Sequence, residues 1–214
     1  MMPDPVPVSP APARPRRPQQ RMTTDDRRKQ IAEAALRSLQ SVGHSGLTAR
    51  KVAAEAGMSL GHLTYHYKDM AEILAAAFRI AAEQVQAAGR LALIQPGGTP
   101  SERLDRFLRA GFTADLMTPA HLRMKVDLWS AALTRPEIAS IERDLYTSHR
   151  EAVERLLDRI AAGYAYDRVP AVADLIMATL DGLWLDWLRR GDLQAVKNGL
   201  DGCVLFARLR LGGS

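Results

Sequence analysis

Between Gly57 and Asp69 the chain reads GMSLGHLTYHYKD, thirteen residues that include two His, two Tyr, two Gly and one Lys. Two chemistries are open to such a set. His62 and His66 stand one helical turn apart, a spacing that suits metal ligation. Leu63, however, occupies the place of the glutamate in an H-E-x-x-H motif, and no Cys or Asp cluster accompanies the pair, so no metal site is expected. His66 is expected instead to pack and hydrogen-bond at the edge of a small domain. The second chemistry is recognition of nucleic acid. Imidazole and hydroxyl groups can hydrogen-bond to base edges, a phenol can reach phosphate or pack on sugar, and an ammonium can neutralise phosphate charge.

The residues just upstream supply elements that would hold such a surface. In LTARKVAAEAGMSLGHLTYHYKD, Thr48 is a candidate N-cap and Leu47 can staple onto Val52. Gly57 is a natural left-handed stop. Ser59 is the next N-cap, with Met58 stapling onto Leu63. Two short helices are thus joined by little more than Gly57-Met58. Ala53, Gly57 and Leu63 follow the skeleton of a helix-turn-helix: a small residue at the crossing, a residue tolerant of positive φ at the turn, and an apolar residue packing the second helix back. Ser59, Leu60, Gly61, His62, Thr64 and Tyr65 are left to face outward. In this motif the second helix lies in the major groove, and its N-terminus also offers N–H groups to phosphate. Arg50 and Lys51 fall in the first turn of the preceding helix, and Lys68 is a further phosphate candidate.

The charge distribution agrees. Residues 1–70 carry 11 Lys and Arg against 6 Asp and Glu, and residues 71–214 carry 18 of each, so the whole excess of +5 sits in the first third. A polyanionic partner for that third alone is implied. Residues 1–22 read as a disordered Pro/Arg-rich tail, more a solubilising segment than a groove-binding arm. From Thr24 onward the chain reads as all-α. Helices are expected over 24–42, capped by Thr24, over the two short motif segments, over about 69–94 behind an Asp69-x-x-Glu72 capping box, and over about 100–114, 120–134, 136–162, 170–190 and 195–210. Pro100, Pro119, Pro136 and Pro170 suit first turns. The expected division is a DNA-binding domain over 23–70 and an effector-binding, dimerisation domain over 71–212. One cysteine, Cys203, and no long apolar run point to a cytoplasmic protein without membrane spans.

Enzyme chemistry finds no footing. There is no phosphate-binding G-x-x-x-x-G-K-[ST], no G-x-S-x-G elbow and no cofactor motif. Asp144 and Ser148 share a helix face from which His149 points away, so a solvated face is expected there and no triad.

Residues 24–78 resemble the DNA-binding domain of the TetR family of bacterial repressors. The family pattern runs close to G-V-S-x-x-x-L-Y-x-H-F-x-x-K-x-x-L. Here the corresponding residues are Gly57, Met58, Ser59, Leu63, Thr64, His66, Tyr67, Met70 and Ile73. Thr64 stands for the usual Tyr, so Tyr65 is expected to take over its phosphate contact. Tyr67 stands for Phe. Met70 stands for Lys, which raises the weight on Lys68. DLWSAALTRPEI (127–138), RDLYTSHREAVERLL (143–157) and LDGLWLDWL (180–188) resemble the choline-responsive, BetI-like branch.

That resemblance implies a palindromic double-stranded DNA operator, a small-molecule effector that releases it, and a homodimer built through the last two helices. Their apolar faces hold Leu175, Ile176, Leu180, Leu183, Trp184, Val204, Leu205 and Leu209. The expected DNA contacts are Thr48, Arg50, Lys51, Ser59, Leu60, Gly61, His62, Thr64, Tyr65 and Lys68. The expected effector pocket draws on Met117, Met124, Asp127, Trp129, Tyr146, Met177, Asp181 and Trp184, where a cation would suit the two indoles with Asp127 or Asp181 nearby. A nonspecific architectural DNA binder shares the charge pattern, and an all-α enzyme lacks any supporting constellation.

Overall fold

The computed structural model describes residues 23–162 and 165–212, and the expectations for the N-terminal tail lie outside them. All regular structure among the described residues is helical: α1 (Thr24–Gly46), α2 (Ala49–Glu55), α3 (Leu60–His66), α4 (Met70–Ile94), α5 (Pro100–Ala110), α6 (Pro119–Ala132), α7 (Pro136–Ala161), α8 (Val169–Arg190) and α9 (Leu193–Leu211), with a 3-10 turn at Tyr166–Arg168. No helix among the described residues is long and apolar enough to cross a membrane.

Local chemistry sets most of the boundaries. The cap of α1 is Thr23, one residue earlier than expected. Its hydroxyl accepts the Asp26 N–H, and the Asp26 carboxylate accepts the Thr23 N–H at 3.0 Å. Only Thr23 has an acid three residues on, and this reciprocal pair selects it over Thr24. Gly43, at φ 72°, interrupts α1 where the break was expected. Thr48 and Ser59 cap α2 and α3, accepting the N–H groups of Lys51 and His62. Gly57 turns the chain between them at φ 68°, a conformation L side chains rarely adopt. α5 stops at Ala110, short of the expected 114.

Asp69 caps α4, but the second half of the expected capping box is absent. The Glu72 carboxylate accepts the Lys68 N–H and pairs with Arg28 at 2.5 Å. Arg28, reaching over from α1, also donates to the His66 carbonyl and lies over the Tyr67 ring, whose hydroxyl donates back to the Arg28 carbonyl at 3.0 Å. Arg28 and the Lys68 N–H thus take one carboxylate oxygen each, and the Arg28 contacts tie the end of α3 to α1.

Two apolar clusters organise the molecule. One holds α1, α2, α3 and α4 together around Ile31, Leu39, Val52, Leu63, Ile73 and Phe78, and runs on into α6 and α7 through Met124, Leu128, Ile138 and Ile141. The expected boundary near Met70 therefore crosses a continuous core. The other joins α5, the later half of α7, α8 and α9. Ile176, Leu180 and Trp184 of the expected dimer face are buried inside it, whereas Leu175, Leu205 and Leu209 are exposed. The α8 side chains follow helical period, so alternate apolar positions divide between the two faces.

Candidate DNA-reading helix and effector cavity

α3 buries two side chains, Leu63 and His66, and turns the rest outward. Ser59, Leu60, Gly61, His62, Thr64 and Tyr65 are all exposed, Tyr65 to 81%. Nothing lies within 4 Å of a Cβ built on Gly61, so a surface could approach the backbone there. The Thr64 hydroxyl donates to the Gly61 carbonyl, which commits its proton and leaves its lone pairs for an outside donor. Lys68 and Arg50 are exposed, as is Thr48 beside them. Lys51 is exposed as well; its ammonium donates to the Gly46 carbonyl at 2.9 Å, tying down the end of α1, and keeps two N–H donors for a phosphate. His66 packs as expected, but its Nδ1 is buried without a hydrogen-bond partner among the described residues. Burial, with His62 beside it, lowers its pKa. The two rings lie 5.2 Å apart. No group of three or more metal-ligating side chains occurs among the described residues.

Between α4, α5, α6, α7 and α8 lies a cavity of about 100 Å³, partly open to solvent. Six of the eight expected residues line it: Met124, Trp129, Tyr146, Met177, Asp181 and Trp184. Phe112 stacks on Trp184 at 4.8 Å and thickens one wall. Two expected residues lie elsewhere. Met117 borders a separate groove with Arg109, Leu193 and Val196. Asp127 is on another face of α6, where its carboxylate accepts the His44 N–H at 2.8 Å. Together with Arg123, whose Nη1 donates to the Ser41 carbonyl, it grips the kink of α1 at Gly43.

Four polar residues in the cavity escaped the sequence reading: His121, Lys125, Glu142 and His149. His121, Lys125 and Trp129 recur every four residues on α6, a signal that tracing its inner face would have found. His149 points away from the solvated face of Asp144 and Ser148, as expected, and is itself half-buried. Its ring lies 4.7 Å from Phe107 and turns into the cavity, while Ser148 and Asp144 are exposed. Burial, reinforced by the Lys125 charge, brings both His121 and His149 down to about 4. Burial also lowers the Lys125 pKa and raises that of Asp181.

A helix-turn-helix with a polar outward face, joined through a continuous core to a helical body with an apolar cavity, is the build of a ligand-responsive DNA-binding regulator. Residues 31–77 match the model of bacterial regulatory proteins of the tetR family, and residues 100–198 match the C-terminal model of BetI-type transcriptional repressors. The HTH-type transcriptional regulator BetI of Cronobacter sakazakii is 24% identical over 190 residues, spanning 88% of this chain and 92% of that protein. A transcriptional regulator from Pseudomonas aeruginosa PAO1 superposes with a TM-score of 0.74 at 28% identity, covering 89% of this chain and 96% of its own. A regulator from Saccharomonospora viridis, solved in complex with choline, shares the fold at a TM-score of 0.74 and 19% identity, over 89% of this chain and 100% of its own. The chain belongs to the TetR family of transcriptional regulators. It is a DNA-binding regulator and not an enzyme.

Proposed function

We propose that the protein is a cytoplasmic repressor which dimerises through α8 and α9, binds a palindromic operator through two copies of α3, and leaves it when a small molecule enters the cavity. Residues 23–70 are the DNA-reading head in this scheme, and residues 71–212 the body that senses and dimerises. One observation carries the reading. The six residues of the Ser59–Tyr65 segment other than Leu63 are solvent-exposed, with Tyr65 at 81%, while Leu63 anchors the helix at 1% exposure. A surface rich in hydrogen-bonding groups on a rigidly seated helix suits base edges and phosphates.

In a twofold dimer the two α3 helices would stand about 34–36 Å apart, one turn of B-DNA, or a multiple of that spacing. The exposed Leu175, Leu205 and Leu209, and the open space over Gly182 and Gly202, support α8 and α9 as the dimer face. The grip of Asp127 and Arg123 on the α1 kink gives the cavity helix a handle on the DNA-reading end. A ligand that binds better to a wrongly spaced dimer would lower operator affinity by its differential affinity for the two states. The test is selection of bound duplexes from a random pool. The expected result is one palindromic motif held against excess random competitor. A protein with no preferred site would be an architectural binder, and the reading would fall.

A further inference from the structure

The cavity already holds a cation of its own. Lys125 reaches from α6 to the faces of Trp129 and Trp184, with its Nζ 4.9 Å and 5.4 Å from the two ring centres. Its closest ion-pair partner among the described residues, Asp181, lies 3.8 Å away, beyond hydrogen-bonding distance. Its N–H groups therefore point at aromatic faces and open cavity. Such an ammonium keeps donors available to whatever enters the cavity.

The surroundings repeat the pattern. His121 and His149 both line the same space, one against Trp184 and the other against Phe107, and both feel the Lys125 charge. Each neutral ring offers one N–H. The end of the cavity around Lys125 is thus a cluster of donors. Two carboxylates, Asp181 and Glu142, also line the cavity. The Asp181 side chain is 46% exposed against 24% for Lys125, so water screens it more than the ammonium it faces. Glu142 is half-buried and acts on Lys125 more weakly than Asp181 does. The remaining lining is apolar, with Leu108, Leu128, Met177 and Leu180 among it.

A quaternary ammonium ion fits this lining badly. The two indole faces it would use are taken, and it would meet Lys125 at close range. An anion meets the opposite situation at this end, where an ammonium that makes no direct hydrogen bond and two imidazole N–H groups face the apolar lining.

We propose that the cavity takes an amphiphilic carboxylate, its head on Lys125 between Trp129 and Trp184 and its apolar body along Leu108, Met177 and Leu180, and that it discriminates against quaternary ammonium ions. The proposal rests on the reading of this cavity as the effector site.

The test compares two matched series on the full-length protein by titration calorimetry: straight-chain alkanoates of increasing length, and alkyltrimethylammonium ions of the same lengths. On the unmodified protein the alkanoates are expected to bind, more tightly as the chain lengthens, and the ammonium ions to bind at least tenfold more weakly. This comparison needs no variant. Lys125→Met keeps the length and apolar stem of the side chain. It is expected to weaken alkanoate binding at least tenfold and to admit the ammonium ions, with a retained cooperative melting transition as the control for folding. Tighter binding of the ammonium series to the unmodified protein, alkanoate affinity unchanged in a folded Lys125→Met, or no binding by either series would each overturn the proposal. Operator release is measured in the same samples. An alkanoate that binds through Lys125 yet leaves operator affinity unchanged removes the effector reading and keeps this one, and an ammonium ion that releases operator does the reverse.

Discussion

Acidification from pH 7 to pH 5 is expected to destabilise the protein through two imidazoles of the cavity, His121 and His149. Both are brought down from 6.5 to about 4 by burial, with Lys125 adding to the effect. Between those values the unfolded chain binds protons that the folded chain refuses. Stability contributed by the neutral rings is therefore full above pH 6.5 and is lost as pH falls toward 4. At about 1.4 kcal/mol per pH unit of proton linkage, each ring loses about 2 kcal/mol between pH 7 and pH 5. His121 is only 7% exposed and should approach that figure; His149, half-buried, should fall below it. The carboxylates of Asp26, Glu72 and Glu102 have pKa values held below the ordinary range by their hydrogen bonds, so their contribution declines mainly at lower pH and does not obscure the window. Urea unfolding at pH 7, 6 and 5, at fixed protein concentration and ionic strength, reads the slope. His121→Gln should flatten it clearly, and His121→Gln with His149→Gln should leave only a shallower remainder to which His66, whose pKa burial also lowers, contributes, whatever either change costs in absolute stability. A double variant with the full slope, or an unmodified protein equally stable at pH 7 and pH 5, would refute the reasoning.

Three further outcomes are expected. Tyr65→Ala and Lys68→Ala should each weaken operator binding in a gel-shift titration while the protein melts and dimerises as before, and Lys68→Ala should reduce the salt slope by about one. Leu205→Glu with Leu209→Glu places like charges on the proposed dimer face, and sedimentation should then report monomer with much weakened operator binding. Asp127→Ala removes the bond to the His44 N–H, a change of about 1 kcal/mol in urea unfolding. It should leave ligand binding in the cavity intact but blunt operator release, and undiminished release would place the coupling elsewhere.

The helix-turn-helix was legible because its determinants are local. Thr48, Ala53, Gly57, Ser59 and Leu63 set caps, crossing, turn and anchor within sixteen residues, and the structure follows them closely. Where distant groups compete, the sequence misleads. Glu72 leaves its expected capping role, its two oxygens taken by Arg28 from α1 and by the Lys68 N–H. The cavity was half legible for a related reason. Trp129, Met177 and Trp184 were recognisable as large residues of the helical body, but which face of α6 points inward depends on α1, α7 and α8 together. Lys125 and Asp127 are two residues apart, one in the cavity and the other on the α1 kink. His149, flanked by Ser148 and Arg150, reads as solvent-facing until Phe107 is placed against it.

The central claim, that the outward face of α3 reads base pairs, is tested most directly by repeating the duplex selection with His62→Ala and Thr64→Ala. Preference should relax at one or two symmetry-related positions of the motif in each case, with the remaining positions and the half-site spacing kept. An unchanged selected motif with both side chains removed would contradict the claim.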